Sequence, residues 1–372
     1  MVDRKSIAGF DWLAFFVINA LLGISVLTLY SLAPASWSAG RTPFFIKQTQ
    51  WILVGWAAFL MMAWVDYHVI TRFAHPLYGI TLLMLVLVLS VGRVVQGAQR
   101  WLSFSFLSIQ PSEVAKVSLL FVLAKHFSDH VGKTGLSFRQ MLVPGLLLAV
   151  PTILILKQPD LGTALAISSV FLSMVFVLGL RSRFLIYSTL FSAMGLPFLW
   201  MFFWNHLKGY QKDRLLTFIN PGSDPMGTGY HIAQSRIAIG SGQLTGKGLF
   251  GGTQSQLKFL PEGHTDFIFS VFSEEWGFVG VVTLFVLFLI LLLWGVEIAY
   301  KAKDLLGTLL AVGVLGLLSC YFLTNVSMTL GVMPTVGIPL PLVSYGGTAL
   351  VTTMGLLGLL FNVKLRRFML FY

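Results

Sequence analysis

Long apolar runs alternate along the chain with short polar stretches. A helix needs about 20 predominantly apolar residues to cross a bilayer. Runs of that kind predict spans at 11–33, 49–65, 74–92, 113–127, 140–156, 162–180, 184–204, 267–298, 305–330 and 343–363. The expected fold is therefore an all-α integral membrane protein, a single bundle of about ten transmembrane helices over residues 1–372. The first run is too long for a signal-peptide core of about 7–15 residues, so it is expected to be a retained first span. The run at 113–127 is short and contains Glu113 and Lys116. Residues 205–265 form the one large loop, rich in Gly and holding Pro221, Pro225 and Pro261. Within it, Tyr230 to Ile239 is locally amphipathic and predicts a short interfacial helix. A loop of about 60 residues in a compact domain is more often functional than idle.

Composition agrees with the pattern. Of the 372 residues 56% are hydrophobic and 10% charged, against about 25% charged in a soluble domain. The formal net charge of +11 raises the question of nucleic acid. The basic residues are instead scattered between apolar runs, where they orient membrane helices. Part of the excess can attract anionic lipid headgroups or a phosphorylated substrate. The single cysteine, Cys320, lies in an apolar run and reads as a small buried hydrophobe.

The basic residues also predict orientation. Ten spans put both termini on one side. Lys and Arg on that side number thirteen, against five in the short opposite loops and six in the long loop. Long loops translocate largely regardless of charge, so the thirteen-to-five bias predicts cytoplasmic termini. Glu113, Asp160, Asp213, Asp224, Glu262 and Asp266 then all fall in or near outward-facing segments.

Four groups of residues could carry chemistry. The first runs from Leu260 to Ser270 and contains Glu262, His264 and Asp266. On a helix Asp266, Ser270, Ser273 and Gly277 form one polar stripe. As one helix, 267–298 would be about 48 Å long, more than the hydrocarbon core. Its first turns either project outward or re-enter while lining a cavity. Asp266 is equally suited to capping the helix N-terminus. The second group is Gln110 to Lys116, whose Glu113 and Lys116 can pair at i,i+3. Charges inside a span are costly and mark function or a buried structural pair. Gln99, Arg100 and Trp101 lie just upstream. The third group, Lys157 to Gly162, is a tight turn with Asp160 after a proline, which by itself reads as a turn residue. The fourth is Asn325, Gly331, Pro334, Gly337 and Pro339 to Thr348. Gly346 and Gly347 there expose amides suited to an anion. A Walker loop, a cysteine cluster and a G-x-S-x-G elbow are all absent from the sequence. ATP hydrolysis, zinc chemistry and serine hydrolysis lose support accordingly.

Taken together, these four groups resemble the SEDS family of bacterial shape, elongation, division and sporulation proteins. The fourth group matches the family signature: Asn325, five residues, Gly331, Pro334, Gly337, then Ser344 to Ala349. Gly251 to Leu257, followed by Phe259 to Phe269, looks like the rod-shape branch rather than the division branch. The resemblance covers essentially the whole chain.

It implies a peptidoglycan glycosyltransferase that polymerises lipid II, a disaccharide-pentapeptide on undecaprenyl pyrophosphate, beside a class B penicillin-binding protein. The family's aspartate then maps onto Asp266, and its functionally sensitive Glu and Lys onto Glu113 and Lys116. Its Q-R-W and Q-P-D-L-G stretches map onto Arg100, Trp101 and Asp160. His264, Ser344, Gly346 and Gly347 lie in the matching segments. On this reading Asp266 is the general base for the acceptor hydroxyl. The leaving pyrophosphate needs charge neutralisation rather than a proton. Arg214, Lys116 and Arg100 are the basic candidates, and a hard divalent cation such as Mg2+ or Mn2+ is the other option. An α-linked donor would give a β-linked glycan in one inverting displacement. The competing reading is a lipid II flippase, which would need polar groups lining a path to both faces. A non-enzymatic scaffold is the third, and it leaves Asp266 and Glu113 without a reason.

Overall fold

A computed structural model describes residues 11–33, 42–95, 98–104, 107–130, 136–179, 209, 212, 216–218, 227–257, 259–260 and 262–367. The predicted span at 184–204 and the candidate residue Arg214 lie outside these described residues.

Twelve helices and three strands follow in chain order: α1 Trp12–Ser31, α2 Phe44–Trp64, α3 Tyr67–Arg72, α4 Ala74–Val91, β1 Arg93–Val95, β2 Ala98–Phe104, β3 Leu107–Ile109, α5 Pro111–His130, α6 Phe138–Lys157, α7 Leu161–Leu178, α8 Thr228–Ser241, α9 Thr253–Gln256, α10 Ile268–Tyr300, α11 Leu305–Thr329 and α12 Gly347–Arg366. Nine of these helices correspond one to one with nine predicted spans. Seven of them, α1, α4, α6, α7, α10, α11 and α12, are long and apolar enough to cross a membrane. The other two, α2 and α5, have spanning length but carry more polar residues. The chain is a multi-pass membrane protein.

Packing follows membrane rules, in which small residues let helix backbones approach closely. Among the described elements α2 and α12 share the most extensive contact. Gly358 lies against the Phe59 carbonyl, and Gly347 lies against the Trp51 ring. The α7–α11 pair uses Gly313 and Gly316 against Met174 and Ser173, and the Ser169 hydroxyl donates to the Gly316 carbonyl at 3.2 Å. Outward-facing residues such as Phe176, Leu172 and Val91 are exposed apolar side chains, as lipid contact requires.

Two features depart from the expectation. First, β1, β2 and β3 form a small antiparallel sheet in the order β1–β2–β3, with Arg93 opposite Trp101 and Leu102 opposite Ile109. The alternation Trp101-Leu-Ser-Phe favours a strand over a loop. Second, the Tyr230–Ile239 piece does form a helix, but α8 packs against protein. Its Ser235 hydroxyl lies 2.7 Å from that of Ser270 and donates to the Thr329 carbonyl at 2.6 Å.

The long helix α10 is broken at Gly277, with φ 61° and ψ −161°. At the break four backbone groups exchange partners with residues 243–248. The amides of Lys247 and Gly248 donate to the carbonyls of Glu274 and Glu275, each at 3.0 Å. The amides of Phe278 and Val279 donate to the carbonyls of Gln243 and Leu244, at 2.8 and 3.1 Å. No polar backbone group is stranded in this exchange, which makes a broken helix tolerable at membrane depth. Residues 268–275 are buried in protein rather than projecting.

Candidate active site

Asp266 sits one residue outside α10. The N-cap is Phe267, which makes no side-chain cap bond, so Asp266 does not hold the capping position. Its main-chain carbonyl accepts 2.9 Å from Asn325 Nδ2 on α11. The same Nδ2 donates 2.7 Å to the Ile338 carbonyl. Facing the Asp266 carboxylate is Gly337, where an added Cβ would stand 3.5 Å from Oδ2. Asp266 is half-buried.

The turn carrying Asp266 is fixed on its other side by the segment before α12. The Ser344 hydroxyl donates to the Thr265 carbonyl and accepts from the Leu340 amide, both at 2.7 Å. The Tyr345 amide donates 2.9 Å to the His264 carbonyl. Gln48 and Ser25 bind the same segment, at the carbonyls of Ser344 and Val343. The ring of His264 stacks on Phe44 with centroids 4.1 Å apart. Burial holds this imidazole below its ordinary range, and the Glu262 carboxylate, 3.9 Å away, acts in the opposite direction.

A second layer lies deeper. Lys116 and Glu113 pair at 2.6 Å on α5, both buried. Lys116 Nζ also donates to the Tyr321 hydroxyl and lies 4.7 Å from the centroid of that ring. A cavity of about 20 Å³ is lined by Lys116, Tyr321, Leu340, Ser344 and Thr353 among others, room for about one water. Tyr321 and Asn325 are i,i+4 on α11, so one helix face meets both Lys116 and the Asp266 turn.

Arg100 and Asp160 come together at the edge. Arg100, on β2, donates 3.2 Å to the Gln158 carbonyl and also bonds the Pro159 carbonyl. Its guanidinium is 4.0 Å from Asp160. Asp160 is the N-cap of α7, accepting from the amide and hydroxyl of Thr163 at 3.0 and 2.9 Å. Its turn role is thus real, with a cation added. Gly162 places this turn against Val336 and Ile338, beside Gly337. Trp101 is half-buried next to Arg100 on the same strand.

The structure therefore gathers Asp266, His264, Ser344, Arg100, Asp160, Glu113 and Lys116 at one end of the bundle. Ser344 spends its hydroxyl on backbone, and Gly347 lies under Trp51, so each has a packing role. Gly346 is the N-cap of α12. Among the described residues no group of three or more His, Cys, Asp or Glu is arranged to hold a metal. The donors present for an anion are the basic side chains.

Three participants were given no role from sequence, although Asn325 stands at the head of the fourth group. Tyr321 and Asn325 are polar groups inside an apolar run, which is itself a signal. The third is Glu274, fully buried at the break, which accepts from Lys247 at 2.8 Å and from the Gln254 and Ser255 amides at 3.0 and 3.3 Å. Its place in the fold anchors residues 247–255 rather than serving Asp266.

Known proteins resemble this chain along its whole length. The peptidoglycan glycosyltransferase MrdB of Escherichia coli K12 is 39% identical over 352 residues, covering 94% of each chain. The peptidoglycan glycosyltransferase RodA of Treponema pallidum is 32% identical, covering 98% of this chain and 99% of its own. A solved chain from a peptidoglycan synthase complex that coordinates polymerisation and crosslinking superposes with TM-score 0.81 at 33% identity, covering 96% of this chain and 98% of that one. The rod shape determining protein RodA of Thermus thermophilus gives TM-score 0.70 at 31% identity, covering 97% and 98%. The cell cycle protein model for FtsW, RodA and SpoVE matches residues 11–368. With that match spanning nearly every residue, this chain belongs to the SEDS family of FtsW, RodA and SpoVE.

Proposed function

We propose that the protein is a peptidoglycan glycosyltransferase that polymerises lipid II on the outer face of a bacterial cytoplasmic membrane during elongation. Relatives named for that activity match it over nearly their whole length. The observation that carries the mechanism is the Asp266 turn: a half-buried residue whose main-chain carbonyl is held by Asn325 and whose carboxylate is faced by a glycine, with basic groups at the same end of the bundle.

Asp266 accepts the proton of the acceptor sugar hydroxyl as its oxygen attacks the anomeric carbon of the donor. The bond from that carbon to undecaprenyl pyrophosphate breaks on the opposite face, so configuration inverts. The pyrophosphate departs as an anion and needs positive charge rather than a proton. Arg100, partly exposed at the edge, suits that contact. Lys116 acts from the buried layer behind it, and Arg214 of the long loop is the remaining candidate. Trp101, next on the strand, presents its ring on the opposite face of β2 from Arg100. The growing strand is the donor and lipid II the acceptor. A hard divalent cation such as Mg2+ would be the other source of positive charge, since such an ion is bound through one or two carboxylates together with substrate phosphates.

The partner is a class B penicillin-binding protein, the crosslinking transpeptidase. This is supported by the likeness to a chain from a complex that couples polymerisation and crosslinking. Both termini are cytoplasmic and the Asp266 end faces outward.

The deciding experiment is lipid II polymerisation by purified Asp266→Asn protein. Asn keeps the size of Asp, and since Asp266 holds no cap the fold should persist. Loss of a positioned base predicts a rate about 10²- to 10⁴-fold lower. Near wild-type glycan synthesis by folded Asp266→Asn protein would remove the base assignment.

A further inference from the structure

Asn325 is fully buried near the C-terminal end of α11, between Tyr321 and Thr329 on one helix face. A buried amide in a span is costly unless its groups are used. Both of its donor contacts are main-chain carbonyls, one on each of two separate segments: Asp266 at 2.9 Å and Ile338 at 2.7 Å. The first segment carries the carboxylate. The second contains Gly337, which faces that carboxylate. Neither segment is helical at these points, so neither has an internal ladder to set its position. The amide orientation follows from the partners, since Nδ2 is the only end of the side chain that can donate to two carbonyls. Four residues earlier on the same helix face, Tyr321 holds Lys116. Helix α11 is a regular 25-residue element, rigid on the scale of the site.

We propose that Asn325 is a positioning residue for glycan polymerisation. Its side-chain amide clamps the Asp266 turn to the Gly337–Ile338 segment and thereby fixes both the place of the carboxylate and the width of the space before it. Because Tyr321 sits one turn away, α11 also fixes the spacing between Asp266 and the Lys116 ammonium. The proposal rests on the reading of Asp266 as the base. Asn325 itself touches no substrate in this scheme. It acts only through Asp266, and that restriction makes it testable.

Displacing a catalytic group by about 1 Å can cost on the order of 10²-fold in rate. Asn325→Ala should therefore lower kcat for lipid II polymerisation by about 10- to 100-fold, with KM changed less than about twofold. The discriminating measurement is a double-mutant cycle on purified full-length protein, using Asp266→Asn. If Asn325 acts through the Asp266 carboxylate, adding Asn325→Ala to Asp266→Asn should leave the residual rate unchanged. A purely structural role would instead reduce the residual rate by the same factor as in wild type. That result, or an unchanged kcat for Asn325→Ala alone, overturns the proposal. Should Asn325→Ala not fold, Asn325→Asp takes its place in the same cycle, since it keeps the size but cannot donate to both carbonyls. Failure of the underlying reading looks different: the Asp266→Asn protein would then polymerise at wild-type rate whatever stands at 325.

Discussion

The buried pair of Glu113 and Lys116 offers the sharpest energetic prediction. Their side chains are 8% and 2% exposed, and the contact is 2.6 Å. Glu113→Gln keeps the shape and removes the negative charge. It leaves an ammonium with only the Tyr321 hydroxyl and ring as company. Removing one partner of a buried pair costs about 3–5 kcal/mol. A cation over a desolvated ring retains about 2 kcal/mol of attraction, so the low end, about 3 kcal/mol, is expected. Lys116→Met removes the cation and fills the same volume. The stranded carboxyl can take up a proton, so this loss should be smaller, about 2 kcal/mol. The double variant restores neutrality with two side chains of native size and should cost no more than about 1 kcal/mol, because replacing a buried pair by packed neutral groups is often nearly neutral. The assay is equilibrium unfolding of the four proteins in mixed micelles. Losses that add to within about 0.5 kcal/mol would show that the two groups do not interact, and would refute the reasoning. Polymerisation, measured on the same four proteins, should stay low in the stable double variant, because Lys116 then no longer supplies charge behind the leaving group.

Three further outcomes are expected. Gly277→Ala should fail to assemble or lose at least about 3 kcal/mol, because its φ and ψ lie in a region open essentially to Gly alone. An added Cβ would also stand 2.3 Å from the Gly246 amide nitrogen, whereas Gly23→Ala, with open space around it, should be silent in the same thermal assay. For His264 the folded imidazole titrates below its ordinary range through burial, so the unfolded chain binds more protons as pH falls. The stability it contributes is present above the unfolded value of about 6.5 and declines below it. His264→Phe should flatten that part of a melting-temperature profile, and an unaltered profile would contradict the assignment. A reporter fused after Tyr372 should be cytoplasmic and one near Gly222 external. Both on one side would end the ten-span topology.

The helices were largely legible because apolar length is a strong signal. The predicted 305–330 is α11 at Leu305–Thr329, and 140–156 is α6 at Phe138–Lys157. The start of α2 was placed at 49 but falls at Phe44, since Lys47 and Gln48 read as a boundary. Gln48 instead lies inside the helix, fully buried, donating to Ser25 and to the Ser344 carbonyl. Composition cannot reveal that a polar residue has a partner nearly 300 positions away. The polar stripe from Asp266 to Gly277 was visible too, but its use was not. Ser270 meets Ser235 of α8, and Gly277 admits residues 242–246, so the stripe below Asp266 is a docking seam. The Glu113–Lys116 pair was readable from i,i+3 spacing alone. Tyr321 escaped, and Asn325 was read only as a signature position, because their partners are fixed by tertiary approach, not by local pattern.

The exchange at Gly277 bears on how the protein is made. Below the break, residues 278–300 are apolar and about 34 Å long as a helix, enough to enter the bilayer unaided. Above it, residues 268–276 carry Glu274 and Glu275, and an ionised side chain at the bilayer centre costs about 2.5–3.5 kcal/mol on insertion. That upper piece finds its partners in residues 243–248, with Lys247 neutralising Glu274. Synthesis delivers 243–248 to the membrane before α10, so the preceding segment waits for the helix that it will complete. The turn bearing Asp266 is contiguous with this upper piece. Its partners Asn325 and Ser344 lie later in the chain than α10, so the reaction centre is complete only once they too have been made.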